Sequence, residues 1–105
     1  MWWQRVDIQE ASESQSESGA VISDWDTYLS DEEARLLPLV HDERTQAWAT
    51  PEEQAYEVHL RGALSGIEPR MRVVADGDYF DIRQVIQPPP FGTPVTVLQT
   101  VRVLP

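Results

Sequence analysis

The sequence contains no cysteine, which excludes disulfides and thiolate chemistry and leaves the redox compartment open. No stretch approaches the ~18 apolar residues of a helical membrane span. The opening residues run at once into Asp7 and Glu10 rather than into the apolar core of a signal peptide, so the product is expected to be cytosolic where it is made, with no membrane partner. Basic side chains are scarce, eight against eighteen acidic ones, for a net charge of -10. Such a chain repels phosphate backbones and anionic membranes, which argues against a grip on nucleic acid. A glycine-rich phosphate loop, a serine elbow and a calcium loop are all missing.

Two histidines remain as possible ligands, His41 and His59, each beside acidic residues. A zinc or hydrolytic site needs them to converge with a third ligand, and nothing in their spacing provides that. The carboxylates at Asp24 and Asp26, at Asp31, Glu32 and Glu33, and at Glu52 and Glu53 read as a solvated acidic face in preference to a glycosidase-like pair. We therefore assign no catalytic, cofactor-binding or metal residue, and expect a protein that is not an enzyme.

What is present is β patterning. With 105 residues the chain has the size of a single domain, residues 1–105. Asp76-Gly77 lies between two β-rich runs, 70–75 and 78–82, and supplies the positive φ angles of a type I′ hairpin turn. The second arm alternates Phe80, Ile82 and Ile86 against Asp81, Arg83 and Gln87, with Gln84 as the exception, and it stops at Pro88-Pro89-Pro90. The last segment, 94–104, sets Val95, Val97, Val101 and Val103 on one face and Thr96, Thr100 and Arg102 on the other, with Gln99 as its polar intruder. Tyr56, Val58 and Leu60 alternate with polar neighbours, as do Val6 and Ile8.

The rest is less regular. Residues 10–18 are only Glu, Ser, Gln and one Ala, too little apolar surface to offset their ordering entropy, so a mobile acidic, serine-rich loop is expected over 10–24. Leu36, Leu37, Leu39 and Val40 form an apolar cluster, and Pro38 among them allows an edge strand at most. Residues 42–54 are polar apart from Ala47, Trp48 and Ala49, and read as a long connection with at most a helical turn. These elements predict a mostly β chain, a small single-domain β-barrel or sandwich of five to six short antiparallel strands with long loops.

Four tryptophans stand outside the clear strands. Trp2 and Trp3 precede the first strand, Trp25 lies between Asp24 and Asp26, and Trp48 lies in the 42–54 connection. Large aromatics in such places either fold back over a small core or anchor a partner, and for Trp48 the two readings are balanced. The proline run reads as a rigid spacer more readily than as a ligand for an aromatic groove.

In its order of segments the chain resembles the head-tail joining, or head-closure (stopper), proteins of long-tailed bacteriophages. Arg5-Val6-Asp7-Ile8-Gln9 looks like that family's first strand and Val58-His59-Leu60-Arg61 like its central strand. Residues 66–73 with 77–85, from Gly66-Ile67-Glu68-Pro69 through Gly77-Asp78-Tyr79-Phe80, give the best match. The sequence departs from the family pattern over 19–54, where Trp48-Ala49 runs directly into Thr50-Pro51-Glu52.

The resemblance implies a structural subunit of the virion neck, made in the host cytoplasm, that forms a homo-oligomeric ring of six or twelve subunits. Adaptor or portal proteins would lie above it and tail terminator or tail tube proteins below. Genomic DNA would pass through the channel without specific binding, and no cofactor is implied. Under this reading 42–54 is the candidate channel-facing gate, carrying Asp42, Glu43, Trp48, Glu52 and Glu53. Trp2, Trp3, Trp25, Asp24 and Asp26 are candidate docking residues, and Asp76 and Gly77 are structural. An acidic lining suits DNA that must slide without sticking. The alternative is a monomeric β-barrel module that recognises a peptide or small partner through exposed tryptophans.

Overall fold

The computed structural model describes residues 3–15 and 21–103. Six strands run in chain order: β1 (Gln4–Gln15), β2 (Val21–Leu39), β3 (Ala55–Arg61), β4 (Arg72–Ala75), β5 (Asp78–Ile86) and β6 (Val95–Arg102). They pair antiparallel and close into a barrel in the order β1-β2-β3-β6-β5-β4. Of the barrel or sandwich expected from the period-two patterning, the barrel is the fold that forms. Its interior is filled by Val6, Ile8, Val58, Leu60, Ile82 and Leu98, all almost wholly buried, with Phe80 meeting Tyr56 edge-on at 5.1 Å between ring centroids.

The Asp76-Gly77 turn is where the sequence puts it. Ala75 pairs with Asp78 across a two-residue loop, and φ is 54° at Asp76 and 84° at Gly77, the two positive values a type I′ turn requires. No atom lies near the position of a Cβ on Gly77, so a larger residue is opposed by backbone strain alone. Gly77→Val should therefore lower stability by roughly 1–2 kcal/mol, and urea unfolding of the variant checks this. An unchanged midpoint would refute the turn.

Three sequence expectations are corrected. In β6 the valine face does not point inward. Thr96, Leu98 and Thr100 do, because they stand opposite Leu60, Val58 and Tyr56 of β3. The hydroxyls are satisfied inside the chain: Thr96 Oγ1 donates to the Gly62 carbonyl at 2.8 Å and accepts from the Leu64 N–H at 3.0 Å, and Thr100 Oγ1 donates to the Tyr56 carbonyl at 3.0 Å. A buried threonine with a backbone partner carries little penalty.

In β5 the alternation breaks at a bulge between Ile82 and Gln84. Arg83 and Gln84 both face outward, Val85 turns in against the core, and Ile86 is left 47 % exposed. The extra residue of a bulge shifts the inward row by one position, which explains the polar exception in the sequence pattern.

The third correction concerns the loop expected over 10–24. Residues 10–15 belong to β1 and 21–24 to β2, paired from Glu10↔Asp26 to Gln15↔Val21; residues 16–20 lie outside the described residues. Irregularities in the β1–β2 register fall between Val6 and Ile8 and between Ile8 and Gln9. At the first, Asp31 adopts φ 60°, its N–H donating to Asp7 Oδ1 at 2.9 Å and its carbonyl accepting from Arg5 at 3.0 Å.

Leu36 to Leu39 are, as expected, strand, with a neighbour on one side only among the described residues. They pair with β3, whereas the β1 pairing ends at Ala34, so Pro38 deprives no second ladder of a donor.

Candidate functional site

Among the described residues, the two long strands pair only with each other beyond Gln9 and Thr27. β4 covers β1 at Asp7, Ile8 and Gln9, and β3 covers β2 from Ala34 onward. The outer part is a two-stranded arm of roughly 20 Å at ~3.3 Å per residue, and it accounts for a molecule measuring 51 × 29 × 25 Å.

Cross-strand register assigns the arm's faces. Glu10 stands opposite Asp26 and Ser12 opposite Asp24, so three carboxylates share one face, while Ala11 and Trp25 share the other. The acidic face continues the inward row of Val6 and Ile8 past the end of the barrel. Directly opposed carboxylates destabilise a strand pair by a few tenths to ~1 kcal/mol; the Ser12 hydroxyl donates to Asp26 Oδ2 at 3.2 Å.

The base of the arm is clamped by Arg72 of β4. Its guanidinium lies between two rings, 4.0 Å from the Trp25 centroid and 4.1 Å from that of Tyr79, and its Nε donates to Gln9 Oε1 at 2.7 Å. Trp25 is thus half-buried in a strand rather than free in a loop. The sequence gives no local sign of this clamp, since its members come from β1, β2, β4 and β5. Trp3, also half-buried, stacks on the Arg35 guanidinium at 4.5 Å. Asp24 and Asp26 are exposed as expected, and Trp2 falls outside the described residues.

Next to the arm's base, a cleft of about 340 Å³ separates Glu10 and Ala11 from Glu68, Pro69, Arg70 and Met71. Its far wall is a tight turn closed by the Met71 N–H donating to the Glu68 carbonyl at 3.2 Å. Arg70 takes φ 83° there, a left-handed conformation that costs a non-glycine residue ~1–2 kcal/mol.

The 42–54 segment is packed, not free. One helical turn, Thr45–Ala47, is built on Asp42, whose Oδ1 accepts from the Arg44 and Thr45 N–H groups at 2.9 and 3.2 Å. The segment then drops Trp48 and Ala49 onto Ala55 and Val101 on the outside of the barrel, with Leu39 alongside, forming a second small core. Trp48 is 7 % exposed, so of its two balanced readings the fold-back onto a core is the one observed.

Arg83, turned outward by the bulge, locks the segment. It donates to the Trp48 carbonyl at 2.9 Å and to Glu53 Oε2 at 2.7 Å. The Glu53 carboxyl is held below the usual carboxylate range, chiefly by the Thr50 N–H; burial opposes this, and the hydrogen bond and charge of Arg83 add to the lowering. Asp42, Glu43 and Glu52 are exposed. The candidate gate residues are thus divided between an exposed acidic surface and a buried anchor.

Neither histidine joins a cluster. His59 Nε2 meets Glu57 Oε1 at 2.9 Å and His41 Nδ1 meets Thr45 Oγ1 at 3.3 Å. Among the described residues no group of three or more His, Cys, Asp or Glu is placed to hold a metal ion.

Comparison with known proteins adds two findings. A family model described as phage head completion protein matches residues 3–99. The fold is similar to that of a chain in the solved virion of a native gene transfer agent (GTA) particle, with a TM-score of 0.63 at 16 % identity, covering 100 % of this chain and 99 % of that one. No curated protein matches the sequence significantly.

Proposed function

Because this chain belongs to the family of phage head completion proteins, we propose that it forms the ring that closes the DNA-filled head and joins it to the tail. It is a structural component of the virion and not an enzyme. The finer reading places adaptor or portal proteins above the ring and tail terminator or tail tube proteins below, with DNA held in the channel between them.

The observation that carries this reading is the arm. A two-stranded ribbon is at best marginally stable alone in water, and this one has, among the described residues, an unpaired strand edge on each side along with three clustered carboxylates. Such an element is suited to being completed by neighbours in an assembly. We place the channel-closing element there rather than at 42–54, whose Trp48 anchor and Arg83 lock hold it against the barrel. The exposed Asp42, Glu43 and Glu52 then serve as a fixed acidic surface that repels DNA. The alternative of a monomeric module recognising partners through exposed tryptophans is less favoured, since Trp3 and Trp25 are each stacked on an arginine.

The test is to replace residues 12–24 by an Asn-Gly turn, which keeps the Ala11↔Trp25 pair and the Arg72 clamp, and to package heads with the variant. The barrel should unfold near the wild-type temperature, because its pairings with β4 and β3 involve residues 7–9 of β1 and 34–39 of β2, which the variant keeps. Nuclease-accessible DNA in filled heads should rise severalfold. Full retention of DNA would overturn the arm as the closing element, and a wild-type protein that stays monomeric beside its neck partners would overturn the ring.

A further inference from the structure

Between β5 and β6 the chain carries a knob. Phe91 is 76 % exposed on a loop stiffened by Pro88, Pro89 and Pro90. Both feet of that loop are tied down: Gln87 Nε2 donates to the Leu64 carbonyl at 3.2 Å, and the Pro94 carbonyl accepts from the Gly62 N–H at 3.0 Å. At the tip Gly92 takes φ 86° with no atom near its Cβ position. A large aromatic held out on a braced loop loses little entropy when it docks.

The matching recess lies toward the other end of β6, beside the Trp48 loop. It is a cleft of about 250 Å³ whose walls include Leu39, Val40, Arg44, Trp48 and Gln99, and Val40 on its rim is 81 % exposed. Two polar atoms at this site, the Trp48 indole Nε1 and Gln99 Oε1, are buried with no hydrogen-bond partner among the described residues. One is a donor and the other an acceptor, the complement of a peptide unit. Buried polar groups left in this state usually mark a missing partner.

We infer that Phe91 of one copy of this chain seats in the Trp48–Gln99 cleft of the next copy, as the contact that links subunits in the ring. This rests on the ring reading above. Electrostatics favours a second copy as the occupant. Copies of net charge -10 repel one another, yet residues 84–101, which carry the knob and one wall of the cleft, contain no charged side chain. Asp42, Arg44 and Glu57 also line the cleft, so the contact rests on the uncharged knob and its peptide hydrogen bonds, with the exposed Arg44 as the cation that an acidic neighbour can meet. Knob and cleft are different surfaces, so the contact is head-to-tail, the kind that propagates around a closed ring. The main-chain amide at Phe91 and Gly92 supplies a carbonyl and an N–H for the indole and the glutamine.

The chain's lack of cysteine makes the test direct. The double variant Val40→Cys with Thr93→Cys, both at exposed positions and with Phe91 kept, assembled and then oxidised, should give a ladder of covalent oligomers up to ring size, while each single variant gives dimers at most. Phe91→Ser, at an exposed position, should unfold as the wild type does but weaken assembly by roughly tenfold or more, read by native mass spectrometry. Wild-type rings with no ladder, and Phe91→Ser rings as stable as wild type, would overturn the knob and leave the ring standing. A wild-type chain that never forms rings would overturn both. Loss of binding to another neck protein by Phe91→Ser, with rings intact, would replace the second copy by that protein.

Discussion

Trp48→Ala should lower stability by about 3–5 kcal/mol, the range for truncating a buried large aromatic, out of a total near 5–15 kcal/mol for a domain of this kind. The site makes the loss asymmetric. Trp48 is the centre of the small outer core with Ala49, Ala55 and Val101, and two alanines on that list cannot move in to fill its place. The Arg83 bond to its carbonyl and the Glu53 pair hang on the same segment, so residues 42–54 should loosen as a unit. Trp48→Phe is the informative contrast. It keeps most of the apolar surface and removes an indole N–H that has no partner among the described residues, which offsets part of the lost volume because an unsatisfied buried donor costs ~1–3 kcal/mol. Urea unfolding of the two variants should therefore separate widely. Equal losses would mean that the indole N–H is bonded in solution.

Leu60→Ala should cost about 2–5 kcal/mol. Leu60 is fully buried at the middle of the barrel, between Ala34 of β2 and Thr96 of β6, and neither neighbour is long enough to reach across the cavity. Ile86→Ala, the same kind of truncation in β5, should change stability by less than ~0.5 kcal/mol, because the bulge has put that side chain outside. Thermal and urea unfolding check both. A large loss at Ile86 would show that β5 is read in the wrong register.

These contrasts show how much the sequence disclosed. The Asp76-Gly77 hairpin was legible because everything that determines it is local: two residues with positive φ and a β-rich run on each side. The inward rows of β1 and β3 were legible for the same reason. The faces of β6 were not, because the choice between valine and threonine for the interior depends on whether carbonyls of Gly62 and Tyr56 lie within reach, which only the folded chain decides. The bulge at Arg83 appeared in the sequence solely as a misplaced glutamine. The arm was hidden because its composition was judged by the apolar surface it buries. Ladder hydrogen bonds and an arginine from β4 hold it instead, and neither leaves a mark in residues 10–24. For the site, the exposure of Asp24 and Asp26 could be read in advance, whereas the burial of Trp48 required knowing that Ala55 and Val101 are adjacent across β3 and β6.

The barrel is closed by the shortest of its seams, the three residue pairs that join β1 to β4 at Asp7↔Val74, Ile8↔Val73 and Gln9↔Arg72. The consequence is kinetic. These pairs bring together positions more than sixty residues apart, so the chain must surrender a large loop-closure entropy, growing as ~(3/2)RT ln n, before three ladder rungs reward it. Hairpins β4–β5 and β1–β2, whose partners are close in sequence, can form on the microsecond scale, while a topology of distant pairings folds over milliseconds to seconds. The seam should thus be the last part of the molecule to form and should sit near the native side of the transition state. Mutations at Val73 would then mainly speed unfolding and leave the folding rate almost untouched. The same seam is the place where a folded subunit can open most readily, so the base of the arm is hinged at the kinetically weakest line of the barrel.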